Sequence, residues 1–74
     1  MSAEIVAALE TMRAYIEVGD YAIGYEYVST LDESMWVTRM YDAKSHLELL
    51  AVPYDTLAEA LAAVIADEQQ KVRA

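Results

Sequence analysis

Hydrophobic positions at the start of the chain recur with the period of a helix. Ile5, Leu9, Met12 and Ile16 are separated by four, three and four residues and so fall on one helical face. Val6 and Ala8 widen this stripe, while Glu4, Glu10, Arg13 and Glu17 take the polar side. Ser2 can accept from the first free amides, Glu4 complements the helix dipole, and Gly19 offers a left-handed residue to close the helix. The pattern predicts a helix over 3–18.

After Asp20 the period changes to two. Tyr21, Ile23, Tyr25 and Tyr27 alternate with Ala22, Gly24, Glu26 and Val28, predicting a strand over 21–29. The polar run Thr30-Leu-Asp-Glu-Ser34 reads as a hairpin loop. A second strand over 35–41 sets Met35, Val37, Arg39 and Tyr41 against Trp36, Thr38 and Met40. A third runs over 46–52 and stops at Pro53, which cannot donate to a ladder. Thr56-Leu-Ala-Glu59 fits a capping box and opens a helix over 56–70 with Leu57, Leu61, Val64 and Ile65 on its apolar face and Val72 continuing it. The expected fold is α+β, in the order α-β-β-β-α: a three-stranded antiparallel meander packed against two helices. Ile5, Leu9, Ile16, Leu61, Val64 and Ile65 are the expected core.

Two helices on one side leave the other face of such a sheet open to water. The tyrosine stripe and the set containing Val28, Trp36 and Met40 are read as opposite faces, so aromatic residues are expected in the open whichever face is covered. The seven aromatics are six tyrosines and one tryptophan. Both types carry a polar handle suited to surfaces that are wet alone and dry in a complex.

Composition narrows what the domain can do. Seventy-four residues make one domain, and the absence of cysteine removes disulfides and thiolate zinc sites. A core this small often needs a further staple, which makes a second copy of the chain a candidate partner. Thirteen acidic against five basic residues give a net charge of −8. Such a surface repels phosphates and anionic lipid, so neither direct nucleic-acid nor membrane binding is expected, and a basic protein surface is. Residues 1–38 hold seven of the acids and only Arg13 among the bases, a net of −6. No signal-peptide pattern is read at the start, so the expected location is the cytoplasm of the producing or infected cell.

Catalytic patterns are missing from the sequence. Gly19 and Gly24 match neither nucleotide fingerprint. His46 and Glu48, two apart on the expected third strand, could share a face, but no motif supplies a nucleophile beside them. The adjacent acids Asp32-Glu33 and Asp67-Glu68 offer too few ligands for a calcium loop. The chain is therefore expected to be a binding protein, not an enzyme, with no cofactor and no metal.

In size, charge and element order the chain resembles the small acidic inhibitors that phages make against host defence systems, including anti-CRISPR and DNA-mimic proteins. The resemblance implies an inhibitor that occupies the basic groove of a nucleic-acid-handling protein. Carboxylates would meet the groove's lysines and arginines, and aromatic anchors would add dry contacts. The expected surface is Glu17, Asp20, Glu26, Asp32 and Glu33 with Tyr25, Tyr27 and Trp36 beside it. The alternative is a homodimeric structural or adaptor module whose acidity serves solubility.

Overall fold

The computed structural model describes residues 2–73, with side chains through residue 70. The first helix, α1, runs Ala3–Met12, and the Ser2 hydroxyl accepts from the Ile5 amide at 3.3 Å. It ends six residues short of the expected boundary. Arg13 turns left-handed (φ 53°), donating to the Glu10 carbonyl at 3.1 Å, while Ala14 donates to that of Leu9 at 3.0 Å. That pair of bonds is a Schellman motif built on a non-glycine residue. The Arg13 guanidinium lies 4.7 Å from the centre of the Tyr25 ring, a cation–π contact that helps hold it there.

Ile16 and Val18 then enter a short strand, β1 (Ile16–Val18), and do not continue the helix. Branched side chains favour the pleated form, and β1 finds a partner at once. It pairs antiparallel with β2 (Tyr21–Val28) through Ile16↔Ile23 and Val18↔Tyr21. Gly19 and Asp20 make the two-residue turn, with Gly19 at φ +58° as the first central residue of such a hairpin requires. Gly19 therefore closes a hairpin, not α1.

β3 (Glu33–Tyr41) and β4 (Glu48–Tyr54) complete an antiparallel sheet in the order β1-β2-β3-β4. The meander thus has four strands, one more than expected. β4 is shifted two residues beyond its expected limits and runs through Pro53, opposite Val37. An edge strand tolerates proline because one side of its backbone has no ladder to complete. His46, at φ 60°, belongs to the turn before β4 and not to the strand, so the expected pairing of its face with Glu48 is lost. The Asp42 carboxylate organises that turn by accepting from the Lys44 and Ser45 amides at 2.9 and 2.8 Å.

The last helix, α2 (Leu57–Arg73), opens with the expected capping box: the Glu59 amide donates to Thr56 Oγ1 at 3.2 Å. Its first turn has a second acceptor, since Glu10 Oε2 on α1 receives the Leu57 amide at 3.0 Å. Glu10, on the expected polar side of α1, links the two helices.

The register settles the faces of the sheet. Tyr21↔Met40, Ile23↔Thr38 and Tyr25↔Trp36 are direct neighbours, so the tyrosine stripe and Trp36 share one face and are not on opposite ones. That face carries the core, in which Tyr21, Ile23 and Trp36 meet Leu57, Ala60, Leu61 and Val64 of α2. Val6 and Leu9 of α1 and Ile16 of β1 are only partly buried against it. Leu61 and Val64 are core as expected, whereas Ile5 and Ile65 are exposed. Val72 lies beyond the described side chains.

Candidate protein-interaction surfaces

The carboxylates and the aromatics of the expected surface lie on different faces of the sheet. Glu17, Glu26 and Glu33 project from the open face, alongside Ala22, Val28, Val37 and Arg39. Tyr25, Tyr27 and Trp36 belong to the helix-covered face. Trp36 is 2 % exposed and stacks edge-on with Tyr25 at a ring separation of 5.3 Å. It is a core residue and offers no surface to a partner. Tyr25 is half-buried between Trp36 and Arg13. Tyr27 lies outside the helix layer, 59 % exposed, with its hydroxyl donating to the Asp32 carboxylate. That bond holds the Tyr27 hydroxyl proton and raises its pKa, and it ties the β2–β3 loop to the strand.

Arg39 organises the open face. Its guanidinium donates to both carboxylate oxygens of Glu26, and its Nε lies 2.8 Å from Glu48 Oε1. The bidentate bond draws the Glu26 carboxyl below its ordinary pKa and raises that of Arg39. Glu26 is therefore neutralised within the chain and is a poor contact for a basic partner. Among the described residues no lysine or arginine pairs with Glu17, Asp20 or Glu33, all exposed. Glu17 accepts a hydrogen bond from Tyr15 at 3.3 Å, a weak and solvent-open contact.

A second surface was not anticipated. Leu47, Leu49 and Leu50, at and before β4, are 66, 57 and 55 % exposed. Beside Leu50 a groove of about 390 Å³ runs between β4 and α2, lined by Met40, Leu50, Val52, Tyr54, Val64 and the carboxylate of Asp67. The leucine run Leu47-Glu-Leu-Leu50 was visible in the sequence. Its significance follows from its place on the last strand of a meander, which makes it an edge.

Among the described residues no helix is long and apolar enough to cross a membrane, and no group of three or more acidic or histidine side chains could hold a metal ion. No known protein family, curated protein or solved structure matches this chain. The fold and surfaces define a small α+β domain with an antiparallel sheet, covered on one face and charged on the other.

Proposed function

We propose that the chain is an acidic protein-binding protein that occupies a basic surface on a nucleic-acid-handling partner, as phage anti-defence inhibitors do. The observation that supports this reading is the charge left over after internal pairing. Glu26 and Glu48 are spent on Arg39, yet Glu17, Asp20 and Glu33 stand exposed on a molecule of net charge −8. Charges held on a rigid sheet speed encounter with an oppositely charged groove and select against wrong partners. Of the expected aromatic contacts Tyr27, beside Asp32, is the one that stands exposed once Trp36 is assigned to the interior.

The test is retention of a partner from a cell lysate on the immobilised chain. A basic nucleic-acid-binding protein should be held at low salt, released as added salt screens the pairing, and displaced by duplex DNA. The folded variant Asp20→Lys/Glu33→Lys should lose that retention. Equal retention by wild type and variant, or retention that DNA leaves untouched, counts against the proposal. A second reading, a structural or adaptor module whose acidity serves solubility, is favoured by the exposed leucines of β4.

A further inference from the structure

We infer that β4 and the groove beside it are a self-association surface that takes a second copy of this chain across a two-fold axis. The two edges of the sheet are unlike. β1 has three residues, with the exposed Glu17 at its centre. Short, charged edges resist pairing. β4 has seven residues, and its one charged side chain, Glu48, is only partly offset by Arg39, which it shares with Glu26. Two molecules of net charge −8 repel over most of their surfaces. The strip from Leu49 to Tyr54 has no ionisable group before the tyrosine, and the groove beside it adds one carboxylate, Asp67, so like meets like there with less of that penalty than elsewhere.

The area of the chain points the same way. It exposes 5202 Å², whereas a monomer of 8.3 kDa is expected to expose about 4,600 Å². The radius of gyration, 12.6 Å, likewise exceeds the ~11.3 Å expected of a globule of this length. The molecule is a flat slab, 33 × 31 × 16 Å, and doubling it at β4 extends both of its layers.

Backbone geometry limits how the copies meet. Pro53 has no N–H, so its position opposite Val37 must be one whose amide would point away from β3. By alternation Ala51 also turns its N–H and C=O outward, while Val52, whose carbonyl accepts from Thr38 Oγ1 at 3.2 Å, faces inward. A register irregularity between Met40 and Tyr41 disturbs the pairing at the start of β4, and Pro53 caps the other end. The clean window is Leu50–Val52. Antiparallel pairing centred on Ala51 exchanges its two backbone bonds with the second Ala51 and sets each Leu50 beside the other copy's Val52, over the groove. Once paired, β4 is no longer an edge, and only the guarded β1 edges remain, so assembly stops at two.

This inference rests on the assembly reading for its stoichiometry and is independent of the basic-partner reading. Sedimentation of the full chain at micromolar concentration should give a species of twice 8.3 kDa. Leu50→Glu should raise the dimer dissociation constant by about thirtyfold, the effect of truncating a central interface side chain. A wild type that sediments as a monomer ends the assembly reading itself. A dimer unmoved by Leu50→Glu, with folding verified by circular dichroism, keeps self-association and ends this surface. Because the chain contains no cysteine, Ala51→Cys reports on the axis even if the glutamate variant unfolds. Residues self-paired across the two-fold, about 5.5 Å apart at Cα, lie within reach of a short thiol-to-thiol crosslinker, which should join the two copies into a covalent dimer. Failure to crosslink while the protein sediments as a dimer would overturn the placement.

Discussion

The two faces of the sheet solve the same problem with different chemistry. On the covered face Ile23, Trp36, Leu57 and Ala60 are almost fully removed from water, and their contacts are with other apolar groups. On the opposite face Ala22, Met35 and Val37 are also buried, and Arg39 adds a polar link to Glu26 on β2 and Glu48 at the start of β4. Burial of a large aromatic contributes several kcal/mol, whereas a solvent-screened ion pair contributes about 0–1 kcal/mol. The covered face should therefore carry the stability, and the open face is freer to carry charge for a partner.

The largest effect should follow from opening the covered face. Trp36→Ala removes a 2 % exposed side chain that α2 cannot collapse upon, and about 3–5 kcal/mol should be lost. For a domain this small that loss approaches the whole stability. Urea denaturation should find the variant largely unfolded, with Leu61→Ala close behind. Ile5→Ala, at a site 53 % exposed on α1, should stay within about 0.5 kcal/mol of wild type. Comparable losses at Ile5 and Trp36 would mean that α1 is as much a part of the core as α2.

That contrast also shows how far the sequence could be read. The α+β class, the meander, the α2 capping box and the core positions Leu61 and Val64 were legible, because each follows from local periodicity or a local hydrogen bond. The end of α1 was not. Ile16 keeps helical spacing from Met12, and only the pairing Ile16↔Ile23 decides that it is a strand residue. The candidate site suffered from the same gap. Alternation within a strand tells which residues share a face, but the register Tyr25↔Trp36 is a relation between strands. Without it Trp36 passed for a surface anchor and Glu26 for a free carboxylate. Arg39 is 13 residues from Glu26, and no spacing rule links them.

The next effect concerns how α1 is attached. α1 buries no residue fully, yet its Glu10 carboxylate accepts from the Leu57 amide and places a negative charge at the positive end of α2. Glu10→Ala should cost about 0.5–2 kcal/mol, the range for lost helix caps. Native-state hydrogen exchange should show faster opening of the first α2 turn, with the sheet amides changed less. Glu10→Gln keeps an acceptor without the charge and should recover part of the loss. If Glu10→Ala leaves α2 protection unchanged, Thr56 alone suffices as the cap.

The smallest effect belongs to the open face and is read through pH. The Glu26 carboxyl is held below its ordinary pKa mainly by its hydrogen bond to Arg39, with the cation's charge adding to it and partial burial opposing it. Asp42 is also shifted down, by the backbone amides of Ser45 and Lys44. A carboxyl whose folded pKa lies below its unfolded value binds fewer protons when folded, so its stabilisation is fully present above the unfolded value of about 4. It fades as pH falls through that value toward the lower folded one. Stability should accordingly be flat from pH 7 to about 5 and decline below about 4.5. Glu26 is solvent-accessible, and its share of the decline should stay under about 1 kcal/mol. Arg39→Met removes the cause of the Glu26 shift but leaves the Asp42 turn intact, so the acid slope should become shallower without vanishing. Denaturation midpoints of wild type and Arg39→Met between pH 3 and 7 make the measurement. Parallel curves would show that the Arg39–Glu26 pair adds nothing to stability, leaving the energetic role of that face to its buried Ala22, Met35 and Val37.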